Sequence, residues 1–275
     1  MKIICEICPH HCKLSEGQIG ICKGRINLNG LMVEKNYGKV TAIALDPIEK
    51  KPLYHFYPGT NILSVGSYGC NLKCPFCQNH EISMDNGEKF YGQDLSPKQL
   101  VDEAVQLKGQ NNIGIAYTYN EPLIAYEFVK DCSTLAKEKG LKNVVVTNGY
   151  ICKDPLVELL PNIDALNIDL KGFTNEFYKN INGDLETVKN TIQIANNHCH
   201  IEVTTLIIPG ENDSVEEMEK LSSWLASVNP EIPFHISRFF PNWEMNDANA
   251  TPVKTIYNLV EVAKKNLKYV YKGNC

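Results

Sequence analysis

The stretch Asn61-Ile62-Leu63-Ser64-Val65-Gly66-Ser67-Tyr68-Gly69-Cys70-Asn71-Leu72-Lys73-Cys74-Pro75-Phe76-Cys77-Gln78-Asn79 changes character at Gly66. Its first six residues have the length and composition of a buried strand, and the remainder is a loop of glycines, a proline and three cysteines. Similar short apolar runs recur at 113–118, 143–147, 164–170, 201–208 and 233–237. Helical patterns lie at 96–108, 122–138, 154–160, 184–197, 214–227 and 252–265. Several carry their own punctuation: Ser96-Pro97 and Asp213/Ser214 at starts, Lys139-Gly140 at a stop. Six strand–helix units with near-continuous apolar strands predict an α/β fold whose parallel sheet is covered by helices. Alternation alone fits a doubly wound sheet and a partial barrel equally well.

In either closure, ligands sit at the carboxyl ends of the strands. Those ends read Cys70 after the first strand, Tyr119-Asn120-Glu121-Pro122 after the second and Thr147-Asn148-Gly149 after the third. Asn167-Ile168-Asp169-Leu170-Lys171 ends the fourth and Pro209-Gly210 follows the fifth, while His235 lies within the sixth. Apolar strands thus run into polar or glycine residues at the end where a site forms.

Cysteine is over-represented, with eleven in 275 residues, and the start Met1-Lys2-Ile3-Ile4-Cys5-Glu6 lacks a signal-peptide core. Reduced and clustered cysteines read as metal ligands, and the expected location is the cytoplasm. Cys70, Cys74 and Cys77 suit three corners of a four-iron cluster with one iron left open. The alternative is a zinc site completed by a distant histidine. Cys5, Cys8, Cys12 and Cys22 form a second set that fits one closed site, for zinc or for a second iron–sulfur cluster. Cys132, Cys152 and Cys199 read as ordinary thiols. Arg25–Glu34 alternates around Asn29-Gly30, the signature of a hairpin, and 46–59 reads as a loop. The expected domains are a Cys-rich segment at 1–58 and a barrel at 59–275. Charge argues against nucleic-acid binding, since the formal net charge is −5. No apolar run approaches the roughly 18 residues a membrane span requires.

The C-x3-C-x2-C loop after the first strand resembles the signature of radical S-adenosylmethionine enzymes, over about residues 60–240, and within them the pyruvate formate-lyase activating enzymes. That resemblance implies a partial (β/α)6 TIM-like barrel with an N-terminal Cys-rich metal-binding appendage. It implies a 4Fe-4S cluster on Cys70, Cys74 and Cys77, with S-adenosylmethionine on the open iron. Reductive cleavage then gives a 5′-deoxyadenosyl radical that abstracts hydrogen, in activating enzymes from a glycine of a partner protein. Carried over by position, Asn120 and Glu121 match the segment that receives the methionyl ammonium, although Tyr119-Asn120 stand where glycines are usual. Asp169 and Lys171 match an Asp-x-Lys that meets the ribose and the methionyl carboxylate. Thr147 and Asn148 line the same pocket, Phe76 lies near the adenine, and His235 faces the adenosine.

On the residues alone, Glu121 also reads as a capping acid, Asp169/Lys171 as a salt bridge, and His235 as structural. The implied partners are a reductant such as flavodoxin or ferredoxin and a glycyl-radical enzyme. The N-terminal block resembles the AmmeMemoRadiSam system subgroup, which adds a Memo-type protein as a partner. Its members usually continue past the point where Cys275 ends this chain, so a truncated or short variant is expected. Radical modification of a small molecule or peptide is the second enzymatic reading, and a non-catalytic electron-transfer or binding module is the third.

Overall fold

The computed structural model describes residues 2–88 and 90–275. Its main sheet has eight strands. Labelling them after the N-terminal hairpin β1 (Arg25–Leu28) and β2 (Leu31–Glu34), they are β3 (Ala42–Pro47), β4 (Asn61–Gly66), β5 (Asn112–Tyr117), β6 (Lys142–Thr147), β7 (Ala165–Asp169), β8 (His200–Ile207), β9 (Phe234–Arg238) and β10 (Val270–Gly273). They lie side by side in chain order, parallel from β4 to β10, with β3 antiparallel on the outer edge of β4. Among the described residues, six helices of seven or more residues connect the parallel strands: α1 (Pro97–Gln106), α2 (Tyr126–Glu138), α3 (Lys153–Leu159), α4 (Leu185–Asn196), α5 (Val215–Val228) and α6 (Val253–Ala263).

Local chemistry sets these elements. Ser96 accepts from the Gln99 N–H and Gln99 reciprocates on the Ser96 N–H, a capping box with Pro97 in the first turn. Gly140, at φ +66°, closes α2 where a residue with a Cβ would be strained. Each helix turns an apolar stripe to the sheet, such as Leu100, Val101 and Ala104 on α1. The strands are buried on both faces, as β6 shows with Asn143, Val144 and Val145.

The sheet curls into an incomplete barrel. Lys50 and Lys51, just beyond β3, and Asn274, just beyond β10, line one cavity although β3 and β10 are opposite edges. Side chains of the 51–59 loop bridge the seam: His55 Nε2 is hydrogen-bonded to the Tyr271 hydroxyl at 2.6 Å, and Tyr54 packs on Tyr271. The chain from Ile48 to Leu53 fills the lower barrel, with Ile48 and Leu53 fully buried against Ile62, Val144 and Ala165. Pro52 O accepts from the Asn167 amide at 2.8 Å. The stretch that reads as a plain loop therefore contributes core, and β3 and β10 are additions to the expected six strands.

The Asn29-Gly30 hairpin forms as expected, with both residues at positive φ. Buried Arg25 makes a bidentate ion pair with Glu127 of α2, and Glu34 accepts the Phe128 N–H at 3.0 Å, fastening the N-terminal segment to the barrel. Among the described residues no helix is long and apolar enough to cross a membrane.

Candidate active site

The carboxyl ends of the strands enclose a cavity of about 460 Å³, within the ordinary range for a small-molecule site. Cys70, Cys74, Phe76 and Cys77 line it from the loop after β4, Asn120 and Glu121 from the loop after β5, and Thr147 and Asn148 from the end of β6. Asp169 and Lys171 enter from β7, and Thr204, Leu206 and Ser237 from β8 and β9.

One amide holds the cysteine loop in place. Asn120 Oδ1 accepts the Ser67 N–H at 3.0 Å, while its Nδ2 donates to Gly69 O at 3.0 Å and Tyr68 O at 3.2 Å. Gly69 sits at φ +88°, and a Cβ there would lie 2.4 Å from Cys22 O, so conformation and close approach both require glycine. Tyr119 takes φ +71° at a position the resemblance gives to glycine. Its hydroxyl bonds Asp46 at 2.8 Å and its carbonyl accepts from Asn79 at 2.7 Å, contacts that offset the strain.

Burial pushes the Cys74 thiol up to about 12, and burial with the Glu121 charge pushes Cys70 well above its ordinary value. Without a cation these thiols stay protonated and neutral in their apolar setting; a metal group takes the protons' place. The cavity thus offers three sulfur donors from one loop, and polar groups from three further strand ends face them. The donor set fits a four-iron cluster, which Cys70, Cys74 and Cys77 would hold.

Glu121 lines the cavity with that loop, and its charge acts on Cys70. Burial raises Glu121 to about 7, against the lowering effect of hydrogen bonds from the Asn148 and Leu123 N–H groups and the Thr147 hydroxyl, at 2.8, 3.0 and 2.8 Å. It does cap the turn at Pro122–Ile124, in keeping with its reading as a capping acid, and it also lines the cavity. Asp169 and Lys171 pair at 2.9 Å, again satisfying the structural reading while facing the cavity. Asn148 donates to Asn71 Oδ1 at 2.9 Å and lies 3.7 Å from Cys70 Sγ.

His235 is not among the residues that line this cavity. It stands in register with Thr204, but its Nε2 donates to Glu202 at 2.6 Å, and the Tyr54 and Tyr271 rings pack against it. The staggered strands of a barrel reach the cavity level two residues later on β9, at Ser237. Burial alone would raise Glu202, yet bonds from His200, His235 and the Tyr54 and His55 N–H groups bring it down to about 2. His235→Ala is therefore expected to lower stability by about 2–3 kcal/mol, the cost of stripping a partner from a buried charge, with ligand affinity unchanged. Thermal melts and equilibrium binding on the same sample check both halves. Thr204, Ser237 and Lys51 carry no signal in the sequence, since none belongs to a motif and only their place on the curled sheet brings them to the cavity.

The profile of the radical SAM superfamily matches residues 64–222. The chain is 42% identical to the Methanocaldococcus jannaschii protein MJ0808 over 277 aligned residues, which cover 99% of this chain and 81% of that one. It is 25% identical to the pyruvate formate-lyase 1-activating enzyme of Escherichia coli K12 over 179 residues, 61% of this chain and 71% of that enzyme. A crystal structure of a domain of pyruvate-formate lyase-activating enzyme from Bacteroides vulgatus superposes with a TM-score of 0.51 at 20% identity. That match covers 58% of this chain and 99% of the domain and shares its fold. With the three-cysteine loop, the strand-end cavity and a superfamily match over more than half its length, the chain belongs to the radical SAM superfamily.

Proposed function

We propose that the chain uses S-adenosylmethionine beside a four-iron cluster to take a hydrogen atom from a glycine of a partner protein. The observation that carries this reading is the meeting, in one cavity, of three thiols from one loop with Glu121, Thr147, Asp169 and Lys171 from three other strand ends. When bound, cluster and cofactor supply one-electron cleavage of the sulfonium and hydrogen-atom abstraction. Cys70, Cys74 and Cys77 hold the cluster, and Glu121 accepts the methionyl ammonium, a charge-assisted pair made stronger by burial. Lys171 offers a cation to the methionyl carboxylate and Asp169 an acceptor to the ribose. Phe76 presents an apolar face to the adenine, and the cavity walls exclude water from the reacting centre. An electron carrier has no need of those strand-end groups. The choice of a glycine rests on the Asp169-x-Lys171 pattern and on the similarity to activating enzymes.

The test is anaerobic reconstitution with iron and sulfide, then reduction with dithionite in the presence of S-adenosylmethionine. The expected product is 5′-deoxyadenosine; its absence rejects the enzymatic reading. A glycyl-radical enzyme from the same cell, labelled with deuterated glycine, is then offered as partner. Deuterium in the 5′-deoxyadenosine and a glycyl radical signal are expected. Product without label rejects the partner glycine and leaves a small molecule or peptide as the substrate.

A further inference from the structure

Cys5, Cys8, Cys12 and Cys22 lie outside the cavity, yet they line one small pocket of their own together with Gly20 and Arg25. They arrive on two turns of the same design. In the first, the His11 N–H donates to Cys8 O at 3.1 Å with His11 at φ +41°, and the Cys5 N–H donates to Cys12 O at 3.0 Å. In the second, the Lys23 N–H donates to Gly20 O at 3.0 Å with Lys23 at φ +68°. In both, the backbone N–H two residues on is directed at the sulfur: His10 to Cys8 and Gly24 to Cys22. Burial raises both thiols, Cys8 to about 12 and Cys22 to about 11, and these donors act against it, so the thiolate form needs a cation in the pocket that the two turns share. Within residues 2–24, Leu14 is the one buried hydrophobic side chain that is not a thiol. Apolar burial is too small to order this segment, and thiolate–metal bonds supply what is missing.

The second observation is where the first turn lands. His10 Nε2 donates to Asn71 O at 2.7 Å, one residue beyond Cys70. The buried Asn71 amide donates to Tyr150 O at 2.7 Å and to Cys8 Sγ, and its Oδ1 accepts from Asn148, which also reaches Cys70 Sγ. Cys22 O packs directly against Gly69. A thiol of the first set and a thiol of the second are therefore joined through two asparagine side chains.

We propose that the four N-terminal cysteines hold a thiolate-bound metal centre, and that this centre positions the loop bearing Cys70 through Asn71. The metal centre is independent of the function proposed above, whereas its positioning role rests on that function. Among the described residues no three ligating side chains are gathered at the spacing of a single ion. Occupation therefore involves either rotation of the cysteine side chains onto one ion or an occupant larger than an ion. Zinc and an iron–sulfur cluster share this thiolate chemistry, and the test separates them.

The full chain carrying Cys70→Ala, Cys74→Ala and Cys77→Ala is purified anaerobically and analysed for metals and acid-labile sulfide. About one zinc without sulfide, or about four irons with sulfide, is expected, and adding Cys5→Ser and Cys8→Ser should remove it. Metal that survives those two changes is adventitious and overturns the proposal, as does a metal-free triple variant that melts like the wild type. If the quintuple variant does not fold, thiol counting on the triple variant decides. A chelator should expose four further thiols, and no change on chelation rejects the centre.

For the positioning role, Asn71→Ala is expected to keep the N-terminal metal while changing the electron paramagnetic resonance of the reduced cluster and weakening S-adenosylmethionine about tenfold. Asn71→Asp, which keeps one acceptor for Asn148, should restore part of this. An unchanged spectrum and affinity in Asn71→Ala reject the positioning role. Metal content is measured without S-adenosylmethionine, so it decides the centre even where the enzymatic reading fails.

Discussion

Cys74→Ala is expected to leave a folded protein that binds almost no cluster iron at the cavity and forms 5′-deoxyadenosine at least about 10³-fold more slowly, as when one member of a group acting as a unit is removed. Cys74 is buried, and among the described residues its thiol is joined to no backbone group by a hydrogen bond. Trading Sγ for hydrogen costs about 1–2 kcal/mol of packing, too little to unfold a domain of this size. The loss falls on the donor set: two thiols cannot hold three corners of a four-iron cluster. Iron and sulfide analysis of the reconstituted variant, beside a thermal melt, separates this outcome from misfolding. Product formation equal to wild type would remove Cys74 from the cluster.

Glu121→Gln is expected to weaken S-adenosylmethionine by about 10- to 150-fold, the worth of one buried charge-assisted hydrogen bond. Both carboxylate oxygens already accept from donors: Thr147 and Leu123 on Oε1 and the Asn148 N–H on Oε2. A glutamine must turn its NH₂ toward one of those donors, so the turn loosens while the charge is lost. Acidity supplies the discriminating readout. Burial holds Glu121 at about 7, and the ammonium is accepted by the ionised form. Wild-type affinity should therefore hold above pH 7 and fall towards about tenfold per unit below it, because the proton competes with the ligand cation. The glutamine variant should show no such step. Titration calorimetry at pH 6, 7 and 8 checks both lines, and equal slopes in the two proteins would exclude Glu121 as the ammonium partner.

The six central strands and their helices are legible in the sequence because buried parallel strands read as apolar runs and because Ser96, Ser214 and Gly140 punctuate the helices. The cavity residues at strand ends are legible for the same reason: polarity appears abruptly where an apolar strand stops. β3 and β10 are not: β10 is a four-residue edge strand, VYKG, and β3, although it carries Ala42-Ile43-Ala44-Leu45, is only half-buried at the sheet edge and runs straight into the proline-rich stretch that reads as loop. Residues 48–59 carry prolines and no period, so nothing local announces that Ile48 and Leu53 are core. His235 shows a different limit. Its strand is evident from the apolar run around it, but depth along a barrel strand depends on stagger, which adjacent residues do not encode.

The seam between β3 and β10 gives the molecule a direction of weakness. Every other neighbouring pair in the sheet is joined by a ladder of backbone hydrogen bonds, whereas this join has none among the described residues and is made by one loop, through contacts such as His55 and Tyr54 against Tyr271. Side-chain contacts at a solvent-facing edge break singly and re-form, while a ladder opens only as a unit. A barrel built this way parts along one line, like a book along its fore-edge, with β5 to β8 as the spine. Glu121, Thr147 and Asp169 stand on that spine, while Lys51 and Asn274 ride on the two covers. Parting along that line would move Lys51 and Asn274 while leaving Glu121, Thr147 and Asp169 in place.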